Sequence, residues 1–258
     1  MNENEKYTDS PEPKSRFFAW LDNFWYHYKW HTIAALFIVF VLVLCIMQTC
    51  SRPNYDIHVM YAGGTDISRA ESGGESEFRE LTKAYQRFVS DFDGDGERRV
   101  NLSALFIPSK EDIKEIESRH DGTEVNYALI EDNKEIFRQS IVFGDYYIII
   151  LSESLFIECT KNESNNPFAN IRDYLPDNAK IAEAAGDEGY LLAGECGVYL
   201  SSTPLYDNPG FSSLGSDSII AIRRFTEFGT QFKGDAATEF YKHNEMVFRL
   251  MLNDEAYA

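Results

Sequence analysis

The hydrophobic and polar positions divide this chain into one long apolar block and a longer region of short, alternating patterns. From Thr32 to Ser51 there is no charged side chain, and the stretch from Ile33 to Met47 is wholly apolar. About 20 residues at 1.5 Å each cross a ~30 Å hydrocarbon core, so the block predicts a transmembrane helix. Beyond it, Tyr55 to Tyr61 reads as a strand, broken by Gly63 and Gly64. Phe78, Leu81, Ala84, Tyr85, Phe88 and Val89 recur at three- and four-residue spacing, which predicts an amphipathic helix over Glu75 to Ser90. Arg99 to Ile107 alternates roughly apolar and polar, as a second strand does. Ser109 with Asp112 three residues on resembles a capping box and opens a helix through Ile113 and Ile116. A further helix is expected near Glu131 to Phe143, ending at Gly144. Tyr146 to Leu151 is an unbroken apolar run of strand length, the pattern of a strand buried on both faces of a parallel sheet.

The first half of this region therefore reads β-α-β-α-β, the order of an α/β domain with right-handed crossovers. The second half is less regular. Residues 160–170 are polar and loop-like, Val198 to Ser201 and Ser218 to Arg223 read as strands, and Ala236 to Leu252 closes the chain as an amphipathic helix. The expected organisation is a disordered tail (1–16), a juxtamembrane aromatic segment (17–31), a transmembrane helix (32–51) and an α/β domain (53–258). Within the juxtamembrane segment, Phe17 to Trp30 is expected as a short interfacial helix.

Orientation follows from the flanks. Trp25, Tyr26, Tyr28 and Trp30, with Lys29 among them, form the aromatic belt that a headgroup region favours. Lys14, Arg16 and Lys29 precede the block, whereas only Arg52 follows it closely. The positive-inside bias puts the N-terminus in the cytoplasm and the large domain outside. A cleaved signal peptide is the competing reading, but its polar lead would be about 30 residues and no small-x-small site follows the apolar run. A lipoprotein signal fares no better. Met47, Gln48 and Thr49 before Cys50, and Leu42, Val43 and Leu44 before Cys45, lack the small residue that precedes a lipid-modified cysteine. An uncleaved single-pass anchor is expected.

Composition narrows the partners. The 258 residues are 44% hydrophobic and 14% aromatic, which supports a real core, and carry a net charge of −18. Four basic and five acidic residues lie in the first 51, leaving 20 basic and 37 acidic beyond, so nearly all the charge belongs to the large domain. Such a surface repels polyphosphate and anionic headgroups, and no nucleic-acid partner is expected. Cys159 and Cys196 show no CxxC or metal spacing; a disulfide and two free thiols both remain open.

Three places carry candidate chemistry. Asp91, Asp93 and Asp95 alternate on a turn with Gly96 at the sixth place, the first half of an EF-hand-like calcium loop. The second half departs from that pattern, with Leu102 where a bidentate acid belongs, so an ion-free Asp/Gly turn competes with a weak calcium site. The loop from Ala62 to Gly74 follows the first strand, where open α/β sheets bind ligands, but it lacks G-x-G-x-x-G. Gly63, Gly64 and Thr65, Ser152 and Glu153, and Ser201, Ser202 and Thr203 are the polar strand-end residues expected to contact a ligand. His58, His120 and His243 are isolated, and neither H-E-x-x-H nor G-x-S-x-G occurs, so no enzyme is expected.

The run from Asn23 to Ile33, NFWYHYKWHTI, resembles the lead-in of small membrane-anchored proteins of clostridia and related Gram-positive bacteria. Their outer domains resemble the type II periplasmic, or extracellular solute-binding, fold. The turn from Asp93 to Gly96 followed by a strand, the stretch from Phe143 to Glu153, and Gly197 to Leu205 are similar as well. Together these touch most of residues 23–225. The resemblance implies two α/β lobes with a cleft, and a non-catalytic domain binding a small solute at the cell surface. The alternative is an assembly protein whose domain engages another membrane or envelope protein.

Overall fold

The apolar block lies within one helix, α1 (Arg16–Cys50), in a computed structural model that describes residues 16–50, 54–67, 77–118, 125–143, 146–162, 165–225 and 234–257. The tail over 1–15, and residues 68–76 of the expected loop and helix start, lie outside the described residues. Phe24–Met47 is long and apolar enough to cross a membrane, a test that a signal sequence also passes. The juxtamembrane segment is continuous with this helix rather than a separate one. It contains neither glycine nor proline to interrupt the backbone ladder. Trp20, Phe24 and Tyr28 stack at four-residue intervals, with ring centroids 5.6 and 5.3 Å apart.

Residues Asn54–Ala258 form a second unit with its own sheet. Its strands are β1 (Ile57–Gly63), β2 (Val100–Phe106), β3 (Ile148–Ser152), β4 (Ile181–Ala182), β5 (Tyr190–Ala193), β6 (Gly197–Tyr199) and β7 (Ser218–Ile222), in the order β2-β1-β3-β7-β6-β5-β4. β1 pairs in parallel with both β2 and β3, in line with the β-α-β-α-β order of the first half. β7 is antiparallel to β3 and to β6, so the whole sheet is mixed. One sheet in one unit stands where the resemblance implied two lobes.

The helices of this unit are α2 (Glu77–Gln86), α3 (Lys110–Ser118), α4 (Tyr127–Phe143), α5 (Glu153–Thr160), α6 (Pro209–Ser212) and α7 (Asp235–Asn253). Side-chain alternation along each strand assigns them to faces. Ile57, Val59 and Tyr61 point to one face, where α2, α6 and α7 contribute Leu81, Tyr85, Phe211 and Phe248. Met60, Ala62, Ile149 and Leu151 point to the other, under Phe137 of α4 and Leu155 and Phe156 of α5. The chain crosses from β1 to β2 through α2 on the first face, and from β2 to β3 through α4 on the second. Crossovers on opposite faces place a topological switch between β1 and β3.

Candidate binding groove and acidic turn

The switch gathers the predicted strand-end residues at one end of the sheet. The register sets Gly63 beside Phe106, and Ser152 beside Ser218, so the carboxyl ends of β1, β2 and β3 share that end. Ser201 joins them, its Oγ donating to Ser216 O at 2.9 Å. Their local roles differ. A Cβ on Gly63 would sit 2.6 Å from the Tyr61 hydroxyl, and one on Gly64 would sit 2.6 Å from Asp112 Oδ2. Both glycines therefore admit side chains of this chain at close approach. Thr65 N–H donates to the Tyr61 hydroxyl at 3.1 Å, and Asp112 closes its capping box by accepting from Ser109 N–H at 2.7 Å. Ser202 Oγ donates to Tyr199 O at 2.7 Å and accepts from Leu191 N–H at 2.8 Å. Thr203, buried, donates to Leu200 O at 2.7 Å. These hydroxyls tie the turn after β6 together.

Glu153 is different. It begins α5, half-buried, and its Oε1 accepts from the Tyr199 hydroxyl at 2.5 Å. That carboxylate acceptor, with partial burial, pushes the Tyr199 phenol up to about 12, so the proton stays on Tyr199 at neutral pH. Ser152 lies beside it, buried, with its Oγ 3.2 Å from Ser154 Oγ. From Glu153 a half-open cavity of about 690 Å³ runs along α5 over β6 and β7. Phe156, Ile157 and Ile219 supply its apolar wall, and Glu195, Asn166 and Arg224 its polar far end. Volumes of roughly 300–1,000 Å³ suit small organic ligands. Gly197 is needed here for packing, since a Cβ would meet Ile219 Cγ2 at 2.6 Å and the Phe156 ring at 2.9 Å. Cys196 and Cys159 are free thiols. Cys196 Sγ accepts from Asn166 Nδ2 at 2.8 Å, while burial pushes the Cys159 thiol up to about 11 and keeps it protonated.

The acidic turn lies at the opposite end of the sheet. Asp91 Oδ1 accepts from Gly94 and Asp95 N–H at 2.7 and 3.1 Å, and its Oδ2 from Gly96 N–H at 2.8 Å. These backbone donors, that of Gly96 foremost, hold the Asp91 carboxyl below its ordinary range. Asp95 turns away from the expected ligand set, its Oδ2 pairing with Arg99 at 2.5 Å. Asp56 takes the vacated position. It is 2% exposed, accepts from Phe92 and Arg99 N–H at 2.6 Å each, and joins Asp91 and Asp93 with oxygens all within 4.8 Å of one another. Three carboxylates suit a hard cation such as calcium, and Asp91 Oδ2 and both Asp56 oxygens, each accepting one backbone N–H, keep a lone pair for it.

Sequence reasoning missed Asp56, Tyr199, Glu195, Asn166 and Arg224. Asp56 stands 35 residues before Asp91, and only the pairing of Ile57 with Val100 brings it beside Arg99 and the turn. Tyr199 lay inside the Gly197 to Leu205 stretch, but no local spacing linked it to Glu153, 46 residues earlier. No protein-family model, curated protein or solved structure matches this chain.

Proposed function

We propose that the chain is a non-catalytic, single-pass membrane protein whose 54–258 unit stands outside the cytoplasm and binds a small solute. The carrying observation is the half-open cavity of about 690 Å³ along α5, where the hydrogen-bonded Glu153 and Tyr199 join Phe156, Ile157 and Ile219 with Asn166, Glu195 and Arg224. We read the unit as a reduced relative of the type II solute-binding fold. Its order β2-β1-β3 with crossovers on both faces supports that reading, as do Glu153 and Tyr199, which come from two of the resembling stretches and line the cavity. The aromatic belt and the basic residues before the span support the anchor and its orientation. Thermal melting of residues 54–258 against sugars, amino acids and peptides tests the binding. A solute at 100 times its Kd stabilises the fold by about 2.7 kcal/mol, and the reading fails if a well-folded domain is indifferent to every compound class.

A second reading, engagement of a membrane or envelope protein, has its own observation. An apolar groove of about 400 Å³ runs between α4 and α5 over Phe137, Ile141 and Leu155, with Ile136 and Ile157 exposed on the flanking helices. Val142→Glu, on the rim of this groove and outside the solute cavity, should abolish such an association while leaving the fold intact. For the acidic turn, calcium should raise the melting temperature of the wild type and leave Asp93→Asn unmoved. Equal shifts in the two proteins would place the ion elsewhere.

A further inference from the structure

The two ends of the sheet differ in chemistry as sharply as its two faces do. At the carboxyl end of the parallel strands stand Thr65, Asp112, Ser152 and Glu153. The opposite end, where Ile57, Val100 and Ile148 begin and Ile222 finishes, is crowded with rings. The His58 imidazole meets Tyr55, Tyr146 and Phe240 edge-on at centroid distances of 5.9, 6.0 and 5.5 Å. Phe92 packs on the same Phe240 ring at 5.7 Å. The last turn of α4 reaches this end too, because Arg223 Nη1 donates to Ile141 O at 3.0 Å. It leaves Val142 57% and Phe143 66% exposed, and Phe92 and Tyr55 stand 42% and 37% exposed nearby.

The chain itself says what lies against that end. Three residues separate Cys50, the end of α1, from Asn54, and three residues bridge at most about 14 Å between those Cα atoms. If α1 spans a bilayer, as the reading above has it, the sheet end carrying Tyr55 is held at the headgroup layer. Tyr55, apolar in body and polar at one edge, is a side chain that layer accommodates well, and Val142, Phe143 and Phe92 add exposed apolar area beside it. A tether this short also supplies a high effective concentration, so a modest apolar area suffices for seating. The carboxylates of Asp91, Asp93 and Glu97 at the same end oppose anionic lipid and favour zwitterionic headgroups.

We propose that the ring-rich end of the 54–258 unit, with Val142 and Phe143 foremost, seats in the headgroup region of a zwitterionic bilayer and fixes the orientation of the binding groove. The inference rests on the anchor reading, and its test separates the two. The three tryptophans, Trp20, Trp25 and Trp30, all lie in α1 and are replaced by phenylalanine in the full chain. A single tryptophan is then introduced as Phe143→Trp or, as a control, Leu129→Trp, about 21 Å away along α4 and itself 48% exposed. Each protein is reconstituted in phosphatidylcholine vesicles containing brominated lipid. The Phe143→Trp protein should be quenched by the lipid several-fold more than the Leu129→Trp protein, and should be the less accessible to aqueous iodide. Equal lipid quenching at the two positions overturns the proposal. So does protection of the Phe143→Trp fluorescence from lipid and iodide alike, which would mark a protein interface. Release of the background protein from the vesicles by alkaline carbonate removes the anchor reading, and the proposal with it.

Discussion

The two faces of the sheet share their strands and differ in how they are closed. One face is sealed: Tyr85, Phe211 and Phe248 are fully buried under α2, α6 and α7, and the Tyr85 and Phe211 rings meet edge to face at 5.1 Å. On the other face, α4 and α5 cover Met60, Ala62 and Leu151, but the groove beside α5 reaches Ile219 of β7 and Tyr199 of β6. The sealed face holds the fold together. The open face has surface to spare for binding, and its side chains can change at smaller cost to stability.

That contrast sets the order of expected effects. Phe248→Ala on the sealed face should cost about 3–5 kcal/mol in urea unfolding, while Ile157→Ala on the groove wall should stay within about 0.5 kcal/mol. Similar losses at the two positions would erase the distinction. Gly197→Ala, which forces a methyl into Ile219 and Phe156 at the groove floor, should cost about 1–3 kcal/mol by overpacking. Tyr199→Phe removes one partly buried hydrogen bond and should cost only about 0.5–1.5 kcal/mol, while weakening any ligand that depends on the orientation of Glu153.

The smallest effect is a matter of pH. Burial under the sealed face, opposed in part by Asp56, holds the His243 imidazole below its ordinary value of 6.5. Its Nδ1 lies 3.5 Å from Ser90 Oγ, and its Nε2 is buried without a hydrogen-bond partner. The unfolded chain takes up this proton first. Stability from this site is therefore complete above about pH 6.5 and is lost as pH falls through the lower, folded value. The urea midpoint should drop between about pH 7.5 and pH 5.5, and His243→Gln should flatten that drop.

Much of the sealed face was legible in the sequence. Phe240, Tyr241, Val247, Phe248 and Met251 announce α7, and the spacing of Leu81, Ala84 and Tyr85 announces α2, because a buried helical stripe repeats locally. The unbroken apolar run from Tyr146 to Leu151 marked β3, because a strand buried on both faces has no solvent-facing positions to fill with polar residues. The open face was harder to read. The eight residues of α5 are too short for a clear period, and the two- and four-residue strands β4 and β5 carry no alternation to detect. The strand expected over Val198 to Ser201 is β6 only as far as Tyr199, where a 3₁₀ turn takes Leu200–Ser202. Glu153 was recognised as a strand-end residue. Its partner Tyr199 depends on β6 lying next to β7, a pairing that no local pattern encodes.

The most direct test of the central claim blocks the groove while leaving the sealed face untouched. Thr160 lines the cavity from α5 and is only half-buried, so Thr160→Trp should fill the space without unfolding the domain. Isothermal titration of the solutes that shift the melting of residues 54–258 would be run on the wild type and on this variant. The account predicts saturable binding to the wild type that weakens at least tenfold in Thr160→Trp. Equal affinity in the two proteins, or no binding to a well-folded wild type, would contradict it.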